Sequence, residues 1–258
     1  MSSLVPHVSE ELKSARAQLV ELRATLADRE VELAELRARL RAFEAKYMRE
    51  VGVLYAALDE WEAKIAEREV DLYNSEEARK RAEEQRAQAE ATKKAAYADE
   101  LENVAEEFEP PVSLKQLFRE VAKRIHPDFA RDEAELAHFT LLMARANEAY
   151  TRGDADLLQR MLDDHHEINA GIQGEGAVVE LARISRQIQH ARRDIANLEA
   201  EQSTLLASEI AQLLEDAEAA KREHRDLLTE LATNLKEQVA EAQRRFELID
   251  RQIRAHGR

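Results

Sequence analysis

Leu12, Leu19, Leu26, Leu33 and Leu40 recur every seven residues, and Ala15, Leu22, Leu36 and Phe43 hold the second apolar position of that repeat, broken once by Arg29. Charged residues fill most positions between them. A seven-residue apolar seam with charged flanks predicts a coiled-coil helix rather than a single-sided surface helix. Ser9, followed by Glu10 and Glu11, supplies a capping hydroxyl and acids that suit the positive end of the helix dipole, so the helix is expected to start there.

Beyond Phe43 the apolar steps run Tyr47, Val51, Leu54, Leu58, Trp61 and Ile65. Two four-residue steps meet at Tyr47, a stutter that unwinds a supercoil locally. Trp61 lies in phase with Leu54, Leu58 and Ile65 and reads as a seam residue. From Leu72 to Ala98 large apolar residues nearly vanish, leaving Ala78, Ala82, Ala89, Ala95 and Ala96 among charges. That stretch is either a solvated helix or a thin seam against a bulkier partner. Leu101, Val104 and Phe108 restore a stripe, and Pro110-Pro111 ends it. Read as one helix, residues 9 to 108 would extend roughly 150 Å.

A second long pattern follows Gly171, Gly174 and Gly176. Leu181, Ile184, Ile188, Ala191, Ile195 and Leu198 step by threes and fours; the phase then moves through Leu206, Ile210 and Leu213 to Leu227 and Leu231, and again to Leu235, Phe246 and Ile253. No proline follows Pro127, so a helix is expected to continue to about Ala255. The pattern predicts an all-α fold organised as a tail over 1–8, a long helix over 9–109, a helical module over 110–168, a glycine-containing linker over 169–176 and a second long helix over 177–258. The economical arrangement is an antiparallel hairpin with the module at its tip, in which the alanines of 78–96 face Ile188, Ile195, Leu198 and Leu205. A parallel homodimer through the leucines of 12–40 is the alternative.

Within the module, Leu114, Leu117, Phe118, Val121 and Ile125 form one apolar face after Ser113, a candidate cap. Lys115, Arg119 and Lys123, joined by Arg124, lie on another face. Pro127 stops that helix and His126 leaves helical geometry before it, so the loop is expected to present the imidazole and the Asp128 carboxylate outward. Asp132 can cap a following helix carrying Leu136, Phe139, Met143, Ala146 and Tyr150 as far as Gly153, and Leu157, Leu158, Met161 and Leu162 mark a shorter third helix.

Composition narrows the function. The net charge of -15 divides into -9 over 1–111, -4 over 112–176 and -2 over the rest, so no segment is basic overall and phosphate backbones find no net positive face. The exception is local: five basic and two acidic side chains between 113 and 131. No cysteine is present, no stretch suits a membrane span or secretory leader, and a soluble, cytoplasmic protein is expected. No nucleophile-base pair or phosphate loop occurs, so an enzyme is not expected, nor a cofactor. Asp163-Asp164-His165-His166-Glu167 invites a metal reading, but adjacent helical residues diverge, and no metal is expected.

The stretch LKQLFREVAKRIHPD, with Asn147-Glu148-Ala149-Tyr150 after it and a short closing helix, resembles a J-domain, the Hsp70-binding module of DnaJ-type co-chaperones, over about residues 113 to 163. The resemblance implies that His126, Pro127 and Asp128 form the loop that docks on Hsp70 and stimulates its ATPase. It implies that Lys115, Arg119 and Arg124 match basic positions of the docking helix, with Lys123 adding charge nearby. Three departures stand out: the family's first helix has no room before Ser113, Glu120 replaces a usually basic residue, and Phe129 follows the tripeptide where a basic residue is common. Leu101, Val104 and Phe108 are expected to cover the core face that the missing helix would cover. The chain is thus expected to recruit Hsp70, with its coiled coil positioning an unidentified client; a scaffolding protein whose J-like tip no longer activates Hsp70 is the alternative.

Overall fold

The computed structural model describes residues 4–97, 108–130, 132–164 and 176–256; Leu101, Val104, His165, His166, Glu167, Gly171 and Gly174 lie outside them. Every regular element among the described residues is helical. The chain divides into two compact units, residues 1–39 with 108–208, and residues 40–107 with 209–258.

The first unit contains most of α1 (Leu4–Tyr47), together with α4 (Val112–Ile125), α5 (Glu133–Arg152), α6 (Ala155–Asp164) and α7 (Ala177–Leu206). α1 begins at Leu4, ahead of the Ser9 start. Pro111 rather than Ser113 occupies the cap position of α4, placing its fixed φ before the first turn. Asp132 Oδ1 accepts from the Glu135 amide at 2.8 Å to open α5, and Gly153, at φ 71°, closes it in a left-handed conformation that suits glycine. Asp154 Oδ1 then accepts from the Leu157 amide at 2.8 Å, which opens α6.

Phe118, Ile125, Phe139, Tyr150 and Leu158 are fully buried in the core of this unit. Tyr150 lies between Phe118, with ring centroids 4.8 Å apart, and Phe108, at 5.5 Å. Phe108 thus covers the core as expected. α1 adds to that cover: Ala27, Val31 and Ala34 belong to the same core. Burial raises the pKa of the Tyr150 hydroxyl, which has no hydrogen-bond partner.

On another face of α1, Leu12 and Leu19 pack against Ile184 and Ile188 of α7. Arg16 Nε donates to Glu180 at 3.1 Å, Arg29 pairs with Glu199 at 3.2 Å, and Arg37 pairs with Glu201. Residue numbers rise together along both helices, so α1 and α7 run parallel. This corrects the antiparallel hairpin. Leu12, Leu19, Leu26, Leu33 and Leu40 of the first repeat are buried within this chain, whereas Leu22 and Leu36 are half-buried.

The second unit explains the correction. A π-helical turn, Met48–Gly52, follows α1 at the stutter, and α2 (Val53–Tyr73) continues from it. The extra residue of a π-turn absorbs the phase change. A Cβ at Gly52 would stand 2.8 Å from Met48 Sδ, so glycine lets that side chain fold over the turn. Asn74 then adopts a left-handed conformation (φ 45°) and Ser75 Oγ accepts from the Ala78 amide at 3.1 Å, opening α3 (Glu76–Ala96). The chain reverses here, inside the stretch that reads as one continuous helix. α3 returns along α2: Arg81 pairs with Glu69 at 3.5 Å, Arg86 with Glu67 at 3.8 Å, and Thr92 Oγ1 donates to Asp59 at 2.6 Å. The buried Ala82 and Ala89 are therefore a thin seam, as one of the two readings held, but against α2 rather than α7.

The second long helix is likewise broken. α7 ends at Leu206, α8 runs Glu209–Arg222, and α9 runs Leu227–His256. His224 takes a positive φ of 60° and Asp226 Oδ1 accepts from the Leu228 and Thr229 amides, a bond to Thr229 that holds its carboxyl below the usual range. α9 runs parallel to α2, with Arg245 on Glu62 and Glu69 and Arg68 on Asp250. Trp61 occupies the seam as expected, edge-on to Phe246 at 5.5 Å, with Lys64 Nζ 4.5 Å from its ring. No helix among the described residues is long and apolar enough to cross a membrane.

Candidate functional site

His126, Pro127 and Asp128 lie at the reversal between α4 and α5, where Pro127–Phe129 form a single 3-10 turn. His126 has extended backbone geometry, as a residue before proline should, and its Nδ1 accepts from the Asp128 amide at 3.2 Å. Nε2 points to Glu30 of α1, 3.6 Å away.

The tripeptide was expected to project outward. Instead His126 is only 6% exposed, because α1 and α7 both lie against the loop. The physical reason is the parallel course of α7 beside α1, which brings Asp194, Asn197 and Leu198 over the turn. Asp128 faces Asp194, and burial followed by the hydrogen bond with Asp194 raises the Asp128 carboxyl to about 7, against the opposing pull of His126 and Arg193. Asp128 Oδ2 is buried with no other partner, as is Oδ1 of Asn147.

The four basic residues are also accounted for. Lys115 Nζ contacts Glu35 of α1 at 2.7 Å, and Arg119 pairs with Asp28 of α1. Lys123 pairs with Glu120 in its own helix at 2.8 Å, so the acidic departure at 120 neutralises a neighbour. Arg124 Nη1 donates to the Leu162 carbonyl of α6 at 2.9 Å, tying the third helix to the first. All seven predicted residues lie in one unit, but they do not present one open basic face. Phe129, the other departure, stacks on His126 at 5.4 Å and carries the Arg23 guanidinium 4.1 Å over its ring. Burial, then the Arg183 charge, lowers the Arg23 pKa.

Beside the loop is a cavity of about 420 Å³, bordered by His126 and Pro127, by Glu30 of α1, by Met143 and Asn147 of α5, and by Asp194 of α7. Sequence reasoning missed Glu30, Asp28, Glu35 and Asp194. Their signal was an acidic face on helices read as stalk alone. His126, Asp128 and Asp194 each offer a ligand atom within 4.8 Å of the others, a composition that could hold a divalent cation. Asp163 and Asp164 are in α6, whereas His165, His166 and Glu167 lie outside the described residues.

No protein-family model, curated protein or solved structure matches the chain.

Proposed function

We propose that the protein is a non-enzymatic adaptor of an Hsp70 chaperone, binding it through a divergent J-domain-like module and positioning a client through its long helices. The observation that carries this reading is the placement of His126-Pro127-Asp128 at the turn between amphipathic α4 and the capped helix α5, with α6 closing the core and Lys115, Arg119, Lys123 and Arg124 on α4. Docking by a basic face and a rigid loop needs no catalytic group in this chain. Charge complementarity would orient encounter, while the loop supplies specificity.

The pairing of Lys115 and Arg119 with acids of α1, and the burial of His126, favour a second reading, a scaffold that uses a J-like module as an internal packing unit. The ATPase of a DnaK-type Hsp70 separates them. Stimulation by the full chain, lost in His126→Gln while the circular dichroism of the variant is unchanged, is the expected result. No stimulation at concentrations where an ordinary J-protein acts would leave the scaffold.

A further inference from the structure

α7 is held unevenly. Its first half buries Ile184, Ile188 and Ala191, the first two against the leucine seam of α1. Beyond Ala191 none of its residues is buried. This loosely packed half is the part that covers the loop, through Asp194, Asn197 and Leu198. It borders an open cavity of about 420 Å³, Asp194 sets its carboxyl against that of Asp128, and buried oxygens of Asp128 and Asn147 remain unsatisfied nearby. Buried polar atoms without partners weaken an interface. α1 contrasts with it: Ala27, Val31 and Ala34 are part of the module's core, and Glu35 and Asp28 pair with Lys115 and Arg119. Lifting α1 would expose the core, whereas lifting the distal half of α7 would expose the loop and the cavity.

We propose that α7 from Asp194 to Glu201 is an autoinhibitory lid on the His126-Pro127-Asp128 loop, hinged just beyond Ala191, the last buried residue of α7, and that engaging Hsp70 requires the lid to rise while α1 stays docked. The proposal rests on the Hsp70 reading for its consequence but not for the motion. It also fits the ion pairs Arg29–Glu199 and Arg37–Glu201, which are exposed and therefore weak tethers of the distal half to α1.

The chain has no cysteine, so one cross-link can be introduced cleanly. Thr140 of α5 and Asn197 of α7 are exposed residues on the rim of the same cavity. T140C and N197C combined, joined by a disulfide-containing bismaleimide, lock the lid, and a reductant releases it in the same molecule. Each single variant carrying the reagent controls for the adduct. In the locked state the amides of 128 to 130 should exchange at least tenfold more slowly than after release, and Hsp70 stimulation should fall to the basal rate and return on cleavage. Leu198→Asp should act oppositely, with faster exchange and several-fold stronger stimulation than the wild type. Equal exchange in locked and released protein overturns the lid, whatever the ATPase does. Slower exchange in the locked state without stimulation in either state upholds the lid and sinks the Hsp70 reading. Stimulation that is equal in both states overturns the lid and leaves the adaptor standing.

Discussion

The two units are built from the same kind of helix but stabilised differently. In the first, three fully buried rings, Phe118, Phe139 and Tyr150, gather short helices around a point, and a polar loop is caught at the edge of that core. In the second, Phe43, Val51, Leu228 and Leu235 lie along extended seams, with Ala82 and Ala89 letting α3 approach closely. A core gathered at a point can hold a shaped surface such as a loop with a cavity beside it. A seam spreads its burial along its length and depends on where its helices are allowed to turn. Single substitutions should therefore be most damaging in the first unit and most local in the second.

The largest expected effect tests this directly. Phe118→Ala should remove about 3–5 kcal/mol from the first unit. Trp61 is the sole tryptophan and belongs to the second unit, so its fluorescence in urea should keep the wild-type midpoint while the exchange protection of α4 and α5 collapses. Loss of both signals together would mean that the two units unfold as one, and the contrast would fail.

The next effect depends on pH and is specific to the first unit. The Asp128 carboxyl titrates near 7 in the folded chain and near its ordinary value of 3.8 when unfolded. Between these values the folded protein keeps a proton that the unfolded chain has released, so stability falls as pH rises from about 4 to about 7 and levels off above that. Asp194→Asn removes the repulsion and should flatten this slope, raising the melting temperature most at neutral pH. Melting curves of the variant that track the wild type across the window would show that the carboxyls do not meet.

In the second unit the sensitive points are turns. Ser75→Ala removes the cap of α3 and should cost about 1 kcal/mol, read as a lower urea midpoint of Trp61 fluorescence. Asp132→Ala makes the equivalent change at α5 and should move only the first unit. The smallest effect belongs to the clasp between α1 and α4. A double-mutant cycle on Lys115 and Glu35 should give a coupling of about 0.2–1 kcal/mol, since both side chains remain about one-third exposed to solvent. A coupling several times larger would make α1 an electrostatic lock rather than a packed element.

The periodicity of three and four made every helix of the module legible, along with the caps at Asp132 and Gly153 and the stop at Pro127, because these are local rules of backbone geometry. The stutter at Tyr47 was legible too and became the π-turn. The reversal at Asn74-Ser75 was readable but overlooked: an αL-tolerant residue, then a capping serine, then Glu76 and Glu77 is an ordinary stop-and-start signal. A second missed pattern was Ala27, Val31, Ala34, Ala38, Ala42 and Ala45, a buried stripe of small residues beside the leucines of α1. It marks a helix with two buried faces, and Ala27, Val31 and Ala34 of that stripe complete the module.

What the amino-acid order determined by itself was the all-α class, the extent of α4, α5 and α6, and the identity of the tripeptide between the first two, since each follows from contacts a few residues apart. What only the tertiary structure decided was direction and exposure. Apolar stripes state which face of a helix is buried but not by what, because Leu and Ile pack as well on a parallel neighbour as on an antiparallel one. The parallel course of α7 beside α1 could emerge only when both were placed together. That choice turned His126 and Asp128 from a projecting loop into a covered one.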